Sequence, residues 1–137
     1  MARVKECCPI VQAGVRSVAA CERSSVDPKR MFYARDLIHR RACLDDLLDQ
    51  LGPRVYITID LDVFDPAFMP ATGTPEPGGL SWYEVLALLK AVCHRSHVVG
   101  FDIVELSPLP HHRGPDFLAA KLIYTLLSYR FQKKEGV

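Results

Sequence analysis

The chain has 137 residues, 49% of them hydrophobic, and carries Lys+Arg 17 against Asp+Glu 16 for a net charge of +1. This suits one globular domain over residues 1–137 and argues against nucleic acid or an anionic membrane surface as partner. No apolar run approaches the roughly 18 residues of a membrane span, and Met1-Ala2-Arg3-Val4-Lys5-Glu6 lacks the apolar core of a secretory signal, so the chain reads as cytoplasmic.

In chain order, Ile10 to Val18 offers a first strand interrupted by Gly14, and Ala19 to Lys29 is a polar loop ending in Asp27-Pro28. Leu37, Ile38, Leu44, Leu47, Leu48 and Leu51 recur at spacings of three and four, the period of a helix, which Gly52-Pro53 stops. The five cysteines, Cys7, Cys8, Cys21, Cys43 and Cys93, are odd in number and include no C-x-x-C. They suit a reducing compartment and read as small buried or idle thiols.

The next segment is the most informative. Val55, Ile57 and Ile59 alternate with Tyr56 and Thr58 between Gly52-Pro53 and Asp65-Pro66, the pattern of a buried parallel strand. Extending that period puts Asp60 and Asp62 on one face, with Leu61 on the other. Two close carboxylates repel each other and resist desolvation unless a cation neutralises them. At the C-terminal edge of a parallel sheet a divalent metal does so economically, while the plainer alternative is that Asp60 caps a turn and Asp62 faces solvent. A long Pro- and Gly-rich loop to Leu80 then lies over the strand end.

Ser81-Trp82-Tyr83-Glu84 is a capping box flanked by Leu80 and Val85, and it opens a helix with Val85, Leu86, Leu89 and Val92 on one face, ended by His94-Arg95-Ser96-His97. Val98 to Leu106 reads as a further buried strand. Glu105 stands at its end, at the same sheet edge as the aspartates, where it is suited either to a two-point hydrogen bond with a planar guanidinium or to a plain cap or salt bridge. Asp102, three residues earlier, falls on the opposite face and reads as a structural acid. Pro115-Asp116 opens a last helix in which Phe117, Ala120, Ile123, Leu127 and their neighbours are apolar most of the way round, so that it should pack on the sheet or on a partner. Alternating strands and helices argue a parallel sheet covered by helices on both faces.

The run from Asp60 to Leu80, D-L-D-V-F-D-P-A-F-M-P-A-T-G-T-P-E-P-G-G-L, resembles the C-terminal metal signature of the ureohydrolases, the agmatinase and arginase family. The resemblance extends to Gln12-Ala13-Gly14-Val15-Arg16-Ser17, to Val99-Gly100-Phe101-Asp102-Ile103-Val104-Glu105-Leu106-Ser107-Pro108 and to Asp116-Phe117-Leu118-Ala119-Ala120-Lys121-Leu122. It implies a three-layer α/β/α fold with a mainly parallel sheet, arginase-like and incomplete relative to the family fold, of which this chain corresponds to the C-terminal half. It further implies that Asp60 and Asp62 are two ligands of a binuclear manganese site, which would acidify a water for attack on a guanidinium carbon and release urea and an amine. Glu105 matches the glutamate that contacts the substrate guanidinium. Thr72, Gly73, Thr74 and Gly79 match a loop expected to shape the metal rim, and Arg16 matches a family arginine with surface, subunit-contact or catalytic roles open.

The family's N-terminal ligand segments, Gly-Gly-Asp-His and Asp-Ala-His-x-Asp, do not occur in this sequence. None of His39, His94, His97, His111 or His112 has the neighbours of a family ligand, although His111-His112 lies near the expected mouth of the site, where a substrate-side role competes with that of a polar loop. Two metal-binding side chains do not by themselves make a tight binuclear site. The expectation is therefore an agmatinase-like partial enzyme, agmatine favoured over arginine, guanidinobutyrate and formiminoglutamate, with a homo-oligomer or a complementary N-terminal fragment as partner. The alternatives are an inactive ureohydrolase-derived assembly or metal-binding module, another D-x-D enzyme such as a haloacid-dehalogenase-like phosphatase or a manganese glycosyltransferase, and a generic α/β domain without a site.

Overall fold

The computed structural model describes residues 2–39 and 42–132. In order these form α1 (Ala2–Lys5), β1 (Gln12–Val15), β2 (Met31–Tyr33), α2 (Ala34–His39), α3 (Ala42–Asp49), β3 (Arg54–Asp60), α4 (Trp82–Arg95), β4 (His97–Val104) and α5 (Gly114–Phe131). Single tight helical turns at Ala20–Ser25 and Leu61–Val63 complete the set. The helix expected over residues 37–51 occupies α2 and α3, on either side of Arg40 and Arg41, which lie outside the described residues, as does the side chain of Cys43.

The strands form two parallel pairs rather than one sheet: β1 with β2, and β3 with β4. The first strand is shorter than the Ile10–Val18 run suggests, because its register shifts between Ala13 and Val15, where Gly14 adopts φ +81°. A Cβ on Gly14 would also stand 2.4 Å from Val63 Cγ2, so only glycine permits this approach to the turn after β3. The second pair is in register from Tyr56↔Gly100 to Asp60↔Val104, which brings the C-terminal ends of β3 and β4 to one edge.

α4 begins at the expected capping box: the Glu84 amide donates to Ser81 Oγ at 3.4 Å, and the Ser81 amide to Glu84 Oε2 at 2.7 Å. Leu80 and Val85 on either side are both buried. The core joins Ile59 and Val98 of the ladder to Val85 and Leu89 of α4 and to Ala119, Leu122 and Leu126 of α5, with Leu61, Phe64 and Met69 sealing the strand end. Complete burial of a leucine side chain contributes about 2 kcal/mol, and Leu122 and Leu126 are both at 0% exposure.

This is the expected α/β arrangement of parallel strands packed by helices, and its incompleteness has a definite form. One face of the β3–β4 ladder (Val55, Ile57, Ile59, Val98, Phe101, Ile103) packs into the core, whereas Tyr56 and Val99 on the other are 60% and 47% exposed. The last helix packs on the ladder, as expected of a helix apolar most of the way round. Its buried side is Ala119, Leu122 and Leu126, while Phe117, Ala120, Ile123 and Leu127 are exposed. No described helix is long and apolar enough to cross a membrane.

Candidate active site at the ends of two parallel strands

β3 ends at Asp60, one turn earlier than strand periodicity would carry it. The Asp60 side chain accepts the Asp62 amide through Oδ1 at 3.0 Å and thereby caps the turn Leu61–Val63. Asp62 therefore sits on a turn rather than on the strand. The cap expected only in the plainer alternative is real, and the same turn keeps the two aspartates together.

Asp62 is held on both sides. Its Oδ2 accepts the Thr74 hydroxyl at 2.9 Å, and its Oδ1 lies 3.5 Å from a guanidinium nitrogen of Arg16. Arg16 is largely buried within this chain, its side chain only 9% exposed. Thr74 reaches Asp62 because the loop is folded onto the strand end by Asp65, whose carboxylate accepts the Ala67 and Gly78 amides at 3.0 and 2.8 Å. Those bonds, joined by the Arg16 charge, hold the Asp65 carboxyl below the ordinary aspartate value. Gly79 completes the closure, since a Cβ there would meet the backbone of Phe64 and Asp65 at 2.4 to 2.6 Å.

Glu105 lies one residue past the end of β4 and adopts φ +66°, the left-handed region that a side chain other than glycine or asparagine rarely enters. Such strain concentrates at functional positions. The reversal carries the carboxylate over Gly73, where Oε2 stands 3.5 Å from the place a Cβ would occupy, and the Ser107 amide then returns to the Ala71 carbonyl at 2.8 Å. Asp60 is placed where the charges of both Asp62 and Glu105 act on it. The Asp60 carboxyl is raised above its ordinary value, first by partial loss of water; the Asp62 amide opposes the rise, and the Asp62 and Glu105 charges add to it.

Asp102 lies on the same ladder face as Tyr56, Thr58 and Asp60 and accepts the Tyr56 and Thr58 hydroxyls at 2.9 and 2.6 Å, a structural acid paired within the fold. The bond to Asp102 raises the Tyr56 phenol above its ordinary value. His111 and His112 are exposed in the turn that precedes α5, with the His112 amide donating to the Leu109 carbonyl at 3.2 Å. Cys7, Cys8 and Cys21 are exposed free thiols, and Cys93 is buried in the core.

The sequence flagged Thr74 as a rim residue without naming its partner, and it missed Asp65 as the loop's organiser. A signal was present in Asp65-Pro66-Ala67, the short-range pattern in which an aspartate bonds the amide two residues on.

Among the described residues no group of three or more His, Cys, Asp or Glu is placed to hold a metal ion. Asp60 and Asp62 offer the oxygen donors that a hard divalent cation prefers, but these residues do not complete a coordination shell. In kind the donors fit such an ion; in number they do not.

The Arginase family model matches residues 1–128. The N(1)-aminopropylagmatine ureohydrolase of Thermus thermophilus is 44% identical over 121 residues, 85% of this chain and 40% of that protein. The agmatinase of Pyrococcus horikoshii is 44% identical over 125 residues, 86% of this chain and 44% of that protein. Among solved structures, the agmatine ureohydrolase of Thermoplasma volcanium matches with a TM-score of 0.73 at 36% identity, covering 88% of this chain and 42% of that one. The arginase from Bacillus caldovelox, at TM-score 0.74 and 22% identity, is similar in fold. The chain spans 40% of the length of each of three N(1)-aminopropylagmatine ureohydrolases that it matches.

Proposed function

The chain belongs to the arginase family, and from that premise we propose that it serves as the C-terminal portion of a ureohydrolase that hydrolyses a guanidino group to urea and an amine. The observation that carries this reading is the register of the two parallel strands, which brings Asp60, with Asp62 on the turn just after it, and Glu105, the residue after β4, to one edge of the ladder. Ligand sites of α/β sheets form at such an edge. Glu105 would receive the planar guanidinium through two parallel N–H···O bonds, a role supported by its strained backbone at φ +66°. Asp60 and Asp62 would form one wall of a manganese site whose other ligands come from outside the described residues. When bound, the ion would supply acidification of water near neutral pH.

Agmatine to putrescine is the favoured conversion, supported by the agmatinase name of one relative and the agmatine-derived substrate in the name of another; arginase and guanidinobutyrase specificities are alternatives. The proposed partner is a second copy of the chain or a complementary N-terminal fragment, in the cytoplasm. A second reading, an inactive assembly or metal-binding module, is favoured by one observation: the described residues do not gather a complete metal-binding group.

The deciding experiment measures urea released from agmatine with manganese, by the chain alone and by the chain with a complementary N-terminal fragment. Urea only with the fragment, abolished by Asp62→Asn or Glu105→Gln, supports the half-enzyme. No urea in either case, with the two pieces shown to associate, favours the inactive module.

A further inference from the structure

Arg16 follows β1 directly, yet its guanidinium is used almost entirely on the turn after β3. It donates to the carbonyl oxygens of Gly14 at 3.4 Å, of Val63 at 3.3 Å and of Asp62, and one nitrogen lies 3.5 Å from the Asp62 carboxylate. A guanidinium presents its donors in one rigid plane, so a single group that serves three carbonyls and a carboxylate fixes their relative positions. A flexible ammonium would not. Burying such a cation is unfavourable unless its donors are engaged; here both terminal nitrogens are engaged, Nη1 on the Gly14 and Val63 carbonyls and Nη2 on Asp62, while the buried Nε has no partner among the described residues. The second Asp62 oxygen is taken by Thr74, which leaves the carboxylate little freedom to rotate.

We propose that Arg16 is a positioning residue for Asp62: it clamps the turn Leu61–Val63 and sets the direction in which the Asp62 carboxylate is presented. The clamp itself does not depend on the ureohydrolase reading, whereas its consequence for turnover rests on that reading.

Two backbone amides report on the clamp, that of Asp62, which donates to Asp60, and that of Leu80, which donates to the Val63 carbonyl at 2.8 Å. Hydrogen exchange followed by NMR on the chain should show both amides exchanging about tenfold or more faster in Arg16→Ala, the scale set by loss of one charge-assisted hydrogen bond. The α5 amides of Leu122 and Leu126 should keep their protection. Arg16→Lys, which keeps the charge and stem but not the fork, should fall between wild type and Arg16→Ala. Unchanged exchange at Asp62, equal acceleration in α5, or full rescue by lysine would each overturn the proposal. If Arg16→Ala does not fold, Arg16→Lys decides alone: faster exchange at Asp62 than in wild type supports the clamp, and equal exchange sinks it. With the N-terminal fragment present, Arg16→Lys should lower kcat for urea release at nearly constant KM. Wild type that releases no urea while showing the expected exchange pattern would remove the enzymatic reading and leave the clamp standing.

Discussion

Thr74 and Asp62 are joined across twelve residues of loop by one hydrogen bond, in which the Thr74 hydroxyl donates to Oδ2 at 2.9 Å. Thr74→Val preserves shape and removes the donor. It should cost about 1 kcal/mol, the usual net worth of an accessible hydrogen bond, measured by urea denaturation, with unchanged helix content by circular dichroism. A stability equal to wild type would mean that the loop stays closed without this contact.

Neighbouring glycines at 78 and 79 should respond very differently to alanine. At Gly79 the new Cβ would meet backbone atoms of Phe64 and Asp65 at 2.4 to 2.6 Å, and backbone cannot step aside as a side chain tip can. The loop must lift, at a cost of about 3 kcal/mol, the upper range for forced overpacking. Gly78 has open space around its Cβ position and only its φ of +83° to accommodate, so Gly78→Ala should cost about 1 kcal/mol. Thermal unfolding of the two variants checks the order, which clashes require and strain alone would not produce.

Asp65 gives the closed loop a dependence on acid. Its carboxyl is lowered in the folded chain by the Ala67 and Gly78 amides. The folded state therefore binds this proton less readily than the unfolded chain. The stabilisation is fully present above the ordinary aspartate range and is lost as pH falls through the depressed value. Asp65→Asn, which has one acceptor oxygen instead of two, should lower stability at neutral pH and flatten the acid limb of a stability–pH curve. An unaltered acid limb would mean that other carboxyls carry it.

The two sides of α5 make a further pair. Leu122 is fully buried and Leu127 is 39% exposed. Leu122→Ala should cost about 3 kcal/mol as a core cavity, and Leu127→Ala less than about 1 kcal/mol. Equal losses measured by denaturation would mean that the exposed side is covered in solution.

What the sequence made legible depends on how far apart the deciding partners lie. The start of α4 was readable because Ser81 and Glu84 are three residues apart and satisfy each other. β3 was readable from Val55, Ile57 and Ile59, whose alternation survives in their burial. Its end was not, because Asp60 captures the Asp62 amide and converts the expected strand residue into part of a turn. β4 stops at Val104, short of the expected Leu106, for a similar reason: Glu105 reverses the backbone there. β2 has three residues and exists only through its pairing with β1, a relationship that no local pattern carries. In α5 both the Phe117–Ile123–Leu127 stripe and the Ala119–Leu122–Leu126 stripe are apolar, so periodicity could not choose the inward one. The site divides in the same way. Asp60, Asp62 and Glu105 stand out as acids at the ends of apolar strands, while the burial of Arg16 beneath Asp62 joins residues 46 positions apart and shows only in three dimensions.

Gly14 has the final bearing on how this site is built. Its missing Cβ lets β1 settle against Val63, and Arg16 just after β1 bonds the carbonyls of Asp62 and Val63, so β1 and the turn after β3 are in direct contact. The D-L-D run is accordingly not a portable motif. A chain cut ahead of β3 would keep both aspartates in its sequence and lose the strand that aims them; transplanting the run into another α/β protein would carry the acids without their mount.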